Sequence, residues 1–195
     1  MPHLSKRKTN TTHWQTAAPL TLKLCMLEDP QMGITKTAAV KGLIPAGNKV
    51  KELRGNLNRL MTEMPTVLEE RFGQAGLSAV AEIFRNLGTQ DAATMKARLG
   101  LGDTLHDSLD AWIVVGNVMG AKMVPKWVST TRVETNHPYC PQYEAFAKQG
   151  KLYCDSVCLP YVRAIAEGVS PKVKMEVVRA ANMDATCVKA LVYSP

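Results

Sequence analysis

The sequence predicts an α+β fold in which N-terminal helices pack on a small C-terminal antiparallel sheet. Helical periodicity dominates from residue 45 to about residue 120, and strand-type sequence with short helices fills the last third. Such segregation of helices from strands is typical of α+β domains. The chain has 195 residues, of which 46% are hydrophobic, enough for one core. We therefore predict a flexible basic arm at 1–20 and a single compact domain at 21–195.

The first helix is predicted to begin after Pro45, where apolar residues recur at helical spacing. They are Val50, Leu53, Leu57, Leu60, Met61 and Met64. This spacing places them on one face, and Pro65 predicts a kink or a new first turn. A second helix is predicted from Gln74 with Gly88 as its C-terminal stop, followed by a short helix at 92–99.

A further helix is predicted from Leu105, because apolar residues again follow at helical spacing. Asp103 or Thr104 precedes it and supplies a side-chain oxygen that can cap its first N–H groups. After Gly120 the sequence becomes rich in β-branched residues, and 123–135 predicts one or two strands.

The C-terminal third is predicted to combine two short helices with a hairpin. The helices are expected at 141–148 and 159–167. Strand-type sequence at 173–180 and 186–193 flanks residues 181–185, whose Asn and Asp favour a turn.

The N-terminal segment differs from the rest of the chain. Residues 1–20 are polar and basic without periodicity, which predicts an arm that is flexible or ordered by a protein partner. Residues 20–27 alternate and predict a short strand or extended segment. Cys25 within it is interpreted as a core residue.

Charge and hydropathy limit the classes of partner and the compartment. The net charge of +7 favours anionic partners, namely a small anionic molecule such as a carboxylate or a phosphate-bearing ligand, or an acidic partner protein. The basic residues of the chain are scattered without an aromatic strand motif, which argues against nucleic acid. No apolar run reaches the length of a membrane span, and no secretory signal is recognisable. We therefore expect a cytoplasmic protein with reduced thiols, acting as a homo-oligomer or as a subunit of a complex.

Four cysteines concentrate near the C-terminus, at Cys140, Cys154, Cys158 and Cys187. An odd total of five argues against a full set of disulfides. Three interpretations stay open, namely ligation of a metal such as zinc by three or four thiolates, a catalytic thiol, or small buried residues. Each depends on whether these residues converge in the fold.

The residues around these cysteines resemble a known family. They are Tyr139-Cys140-Pro141-x-Tyr143-Glu144, Cys154-Asp155-x-x-Cys158-x-Pro160-Tyr161, Ala166-Glu167-Gly168-x-x-Pro171 and Cys187. This pattern, which covers about a third of the chain, resembles the L-2-amino-thiazoline-4-carboxylic acid hydrolase family. That family is in turn similar to small-molecule-binding domains of the 4-vinyl reductase type.

The resemblance implies hydrolytic opening of a thiazoline ring, in which water adds to C2 and sulfur leaves as a thiolate. Either a cysteine-held metal activates the water or a cysteine attacks C2 itself. The candidate catalytic residues are Cys140, His137, Glu144 and Asp155. The candidate substrate-binding residues are Tyr139, Tyr143 and Arg163. The candidate zinc ligands are Cys140, Cys154, Cys158 and Cys187. The alternative is a metal-stabilised small-molecule-binding or accessory subunit without chemistry of its own.

Overall fold

A computed structural model describes residue 36 and residues 38–194. Contacts divide the chain into two units, Met1–Ile44 and Pro45–Pro195, and the fold below is that of the second unit. The predicted arm at 1–20, the extended segment at 20–27 and Cys25 lie outside the described residues.

Helices form the first part of this unit and an antiparallel sheet forms the second. The elements are α1 (Ala46–Phe72), α2 (Gln74–Leu99), α3 (Leu105–Met119), β1 (Lys122–Ser129), β2 (Arg132–Tyr139), α4 (Pro141–Lys148), α5 (Cys158–Val169), β3 (Val173–Arg179) and β4 (Val188–Tyr193). The strands are ordered β1-β2-β4-β3, and each neighbouring pair is antiparallel. The predicted α+β fold class is thereby confirmed.

The helix end predicted at Gly88 is wrong, and of the two alternatives predicted at Pro65 the new first turn is excluded. Pro65 lies inside α1, and its ring is fully buried. That burial offsets the backbone hydrogen bond which proline cannot donate. Gly88 lies inside α2, which continues to Leu99 and so includes the helix predicted at 92–99. By contrast, Thr104 caps α3 as predicted, accepting a hydrogen bond from the Asp107 backbone N–H at 3.1 Å.

Gly88 permits a close crossing of α2 and α5. A Cβ atom at Gly88 would lie 2.4 Å from the carbonyl oxygen of Tyr161, and one at Gly168 would lie 2.8 Å from the Cβ of Ala92. These distances leave no room for larger side chains at the crossing. Glycine at position 88 is therefore explained by helix packing rather than by helix termination.

The apolar stripe of α1 is only partly buried. Met61 is buried, whereas Val50, Leu53, Leu57 and Leu60 are between 41% and 66% exposed. The predicted helix is thus confirmed, but most of its apolar face is not covered within the described part of the chain. Among the helices described, none is both long and apolar enough to cross a membrane.

Candidate functional site

A cavity of about 530 Å³ lies between the helices and the sheet. Its wall is formed mainly by apolar side chains, including those of Leu57, Phe84, Leu87, Met95, Trp112 and Val115. Four polar residues, His137, Cys140, Gln142 and Lys189, also line it, and we call them the polar patch. An apolar wall with a few convergent polar groups is the usual character of a small-molecule site.

The strand register brings Lys189 and His137 together. Thr135 of β2 is opposite Lys189 of β4, and His137 follows Thr135 by two residues on the same buried face. The Lys189 ammonium Nζ lies 3.3 Å from Nε2 of His137 and 3.6 Å from Sγ of Cys187. It also lies 5.5 Å from the centroid of the Trp112 ring.

Lys189 is a buried cation, with only 5% of the residue exposed. Within residues 38–194 it forms no ion pair with a carboxylate. Its observed partners are a neutral ring nitrogen, a sulfur and an aromatic face. The charge is consequently only partly compensated by the protein groups described.

His137 is held in its neutral form. Burial, and then the positive charge of Lys189, lower the pKa of His137 to about 3. An ammonium has no lone pair, so Nε2 must accept the hydrogen bond from Lys189 and Nδ1 carries the proton. The backbone of Cys187 acts on the pKa in the opposite direction, but the buried Nδ1 has no partner in hydrogen-bond geometry.

This pKa predicts a specific dependence of stability on pH. The folded pKa lies below the usual 6.5, so between pH 6.5 and about 3 the unfolded chain binds more protons and stability falls as pH falls. We expect the free energy of unfolding to drop by about 2 kcal/mol more in the wild type than in His137→Gln between pH 7.5 and 4.5. Urea denaturation at the two pH values measures the difference.

A matched control is His106→Gln, because His106 is exposed and stacks on Trp127 with the ring centroids 4.4 Å apart. This variant should keep the wild-type pH dependence. Equal pH dependence in wild type and His137→Gln would show that His137 is not the group responsible.

The four described thiols differ in their pKa and in their position relative to the cavity. Burial raises the pKa of Cys140, whose thiol donates a hydrogen bond to Oε1 of Gln142 at 3.7 Å. A hydrogen bond from the Cys158 thiol lowers the pKa of Cys154, and the same interaction raises the pKa of Cys158. Cys140 and Cys158 line the cavity. Cys187 lies just before β4 and contacts Lys189 instead.

In the described residues, no group of three or more His, Cys, Asp or Glu side chains is arranged to hold a metal ion. The ammonium of Lys189 lies beside Cys187, where its positive charge competes with that of a cation. Zinc ligation by the four cysteines stays a prediction.

The other predicted catalytic and substrate-binding residues do not line the cavity. Asp155 and Arg163 line a separate groove between α2 and α5. Glu144 and Tyr139 are exposed, and the hydroxyl of the buried Tyr143 donates to the carbonyl oxygen of Met183 at 3.0 Å. Of the predicted catalytic residues, His137 and Cys140 are thus the two that line the cavity.

Lys189, Trp112 and Gln142 were not predicted as site residues. Lys189 had a recognisable signal, because it shares a strand face with Leu191 in an otherwise apolar strand. A lysine in such a position requires a compensating partner. Trp112 and Gln142 had no comparable signal, because an apolar tryptophan on a helix and a glutamine in a first turn are ordinary.

Comparisons with known proteins reveal the fold but no family. No protein family model matches the sequence, and no curated protein matches it. The chain is similar to trafficking protein particle complex subunit 3 from Naegleria fowleri, which was solved covalently bound to palmitic acid. The TM-score is 0.56 and the sequence identity 13%, over 74% of this chain and 97% of that chain. The phenol-responsive sensory domain of the transcription activator PoxR, solved with phenol, has a TM-score of 0.51 and 12% identity, over 72% of this chain and 73% of that chain.

Proposed function

We propose that this chain binds a small, mainly apolar molecule in the cavity between the helices and the sheet. The observation that carries the proposal is the volume of about 530 Å³ with a mostly apolar wall that includes the polar patch. Cavities of roughly 300–1,000 Å³ with this character bury most of the surface of a small ligand. The size and character of this cavity therefore support a binding function.

The two similar structures support the same class of function. Those structures hold palmitic acid and phenol, each of which combines an apolar body with a polar oxygen group. A cavity with an apolar wall and a polar patch suits such molecules. At 13% and 12% identity the likeness is one of fold, so the ligand of this chain has to be found by experiment.

Filling the cavity tests the proposal. Val115 of α3 lines the cavity and is partly buried, so Val115→Trp should occupy space that a ligand needs. We expect wild-type protein to bind Nile red at one saturable site, measured by fluorescence, and the variant to bind it at least about tenfold more weakly, the loss expected from a steric clash.

Val178→Trp is the matched control, because Val178 is exposed on β3 and does not line the cavity. It should bind Nile red like the wild type. The proposal is wrong if wild-type protein does not bind Nile red saturably, or if both variants bind it equally well.

The hydrolase activity is a second candidate. Cys140, His137 and Lys189 place a thiol, an imidazole and a cation in one cavity, and opening a thiazoline carboxylate needs a nucleophile, a base and a carboxylate partner. However, the raised pKa of Cys140 and the lowered pKa of His137 weaken both groups in these roles. Binding is therefore better supported. Incubation with 2-amino-thiazoline-4-carboxylate, with and without zinc, tests hydrolysis by formation of the N-carbamoyl product.

We also propose that the chain belongs to the thiazoline hydrolase family. We propose further that it assembles as a homo-oligomer or as a complex subunit, and that it is located in the cytoplasm. The similar protein from Naegleria fowleri is a subunit of a trafficking protein particle complex, and the exposed apolar stripe of α1 is a surface that assembly can bury. The described cysteines are free thiols, as expected in a reducing compartment. Sedimentation velocity distinguishes a monomer from an assembly.

A further inference from the structure

We infer that Lys189 binds the carboxylate of the ligand, so that this site takes an apolar molecule ending in a carboxylate. This inference rests on the proposed function and adds the chemical class of the ligand. Lys189 lines the cavity and is almost fully buried. Its position on β4, one of the two inner strands of the sheet, holds the ammonium beside His137.

Within the described residues, the hydrogen bonds of Lys189 leave one N–H donor free. An ammonium has three N–H donors, and within residues 38–194 the acceptors are Nε2 of His137 and Sγ of Cys187. A buried charge without an opposite charge is costly, and a ligand carboxylate supplies both the missing acceptor and the missing charge.

The neighbouring groups favour an anion over a second cation or a neutral group. His137 is neutral and directs its Nε2 lone pair at Lys189. It therefore brings no negative charge that would repel an incoming carboxylate. The carboxylate of Asp91 also lines the cavity, but it accepts a hydrogen bond from the Tyr161 hydroxyl at 2.6 Å. Arg98 lines the cavity as well but is exposed, so water already solvates its charge.

The apolar part of the ligand has its own surface. The Trp112 ring lies against the ammonium, and apolar side chains such as Phe84 and Leu87 form the rest of the wall. A flexible aliphatic or aromatic acid satisfies both surfaces at once. A highly charged molecule such as a nucleotide suits the site less well, because most of the wall is apolar and Arg98 is the one further cation among the described residues that line it.

Decanoate and 1-decanol are matched probes, because they share an alkyl chain and differ in the charge of the head group. At pH 8 we expect wild-type protein to bind decanoate at least about tenfold more tightly than decanol, measured by displacement of Nile red. Lys189→Met should weaken decanoate binding at least about tenfold and should weaken decanol binding much less.

The melting temperature of ligand-free protein distinguishes a ligand-binding role of Lys189 from a structural one. With a ligand-binding role, Lys189→Met should keep or raise that temperature, since it replaces a poorly compensated buried charge by an apolar chain of similar size. With a structural role, it should lower that temperature. Lys126→Met is the control, because Lys126 is exposed on β1 and lies outside the cavity. It should change neither probe's affinity.

The outcomes separate the two proposals. If decanoate and decanol bind the wild type equally, or if Lys189→Met binds decanoate like the wild type, Lys189 is not the carboxylate partner while the binding function stands. If neither probe nor Nile red binds the wild type, the binding function itself is wrong. Should Lys189→Met fail to fold, the comparison of the two probes on wild-type protein alone still decides.

Discussion

Replacing Trp112 by alanine is expected to lower the free energy of unfolding by about 4 kcal/mol and to abolish ligand binding. Trp112 is 2% exposed and belongs to the main hydrophobic core. Its indole N–H donates to the carbonyl oxygen of Val162 at 2.7 Å, so truncation also leaves a buried acceptor without its donor. The same ring lines the cavity beside Lys189, and its loss changes both the wall and the position of the ammonium.

Two further variants identify the cause of that loss. Trp112→Phe keeps an aromatic ring but removes the N–H donor, and we expect it to cost about 1–2 kcal/mol. Trp127→Ala is the control, because Trp127 is 41% exposed on β1 and should cost less than about 1 kcal/mol. Urea denaturation measures all three. Similar losses for Trp112→Ala and Trp127→Ala would contradict the assigned core position of Trp112.

Local sequence patterns predicted most elements of this fold. The helix at 141–148 was predicted with its observed bounds, and the strand-type sequence at 123–135 forms most of β1 and the first half of β2. Short-range periodicity and turn residues determine such elements, so one sequence suffices. The pairing of β2 with β4 could not be predicted, because it joins residues more than 50 positions apart and depends on packing of the whole sheet.

The α1 stripe illustrates a second limit. Leu53, Leu57 and Leu60 have the spacing of a buried helix face, and the helix is present, yet these side chains are largely exposed. Periodicity reports which residues share a face, and it does not report what covers that face. Similarly, Gly88 has the chemistry of a helix stop, but the approach of α5 is what requires it.

The candidate site was predictable in part. His137, Cys140 and Cys158 were named from their chemistry and their proximity in sequence, and all three line the cavity. Lys189 was missed because a single lysine in a strand is normally exposed. Its importance depends on which strand becomes central, and that follows from the long-range pairing of β4 with both β2 and β3.

Gly88→Val is expected to lower the free energy of unfolding by about 3 kcal/mol, because a side chain here forces α2 and α5 apart. Even the first added carbon would lie 2.4 Å from the Tyr161 carbonyl oxygen and 3.0 Å from the Cβ of Ala164. Neither atom belongs to a flexible side-chain end that can move away. Because Tyr161 lines the cavity, the same displacement should also weaken Nile red binding.

The sign of the effect makes this prediction specific. Replacing glycine inside a helix normally stabilises by about 0.5–1 kcal/mol, through lower backbone entropy in the unfolded chain. Gly55→Ala in α1 should show that gain, because nothing lies within 4 Å of a Cβ atom there. Thermal and urea unfolding of the two variants should therefore shift in opposite directions. A stabilising or neutral Gly88→Val would mean that α2 and α5 do not cross as closely as described.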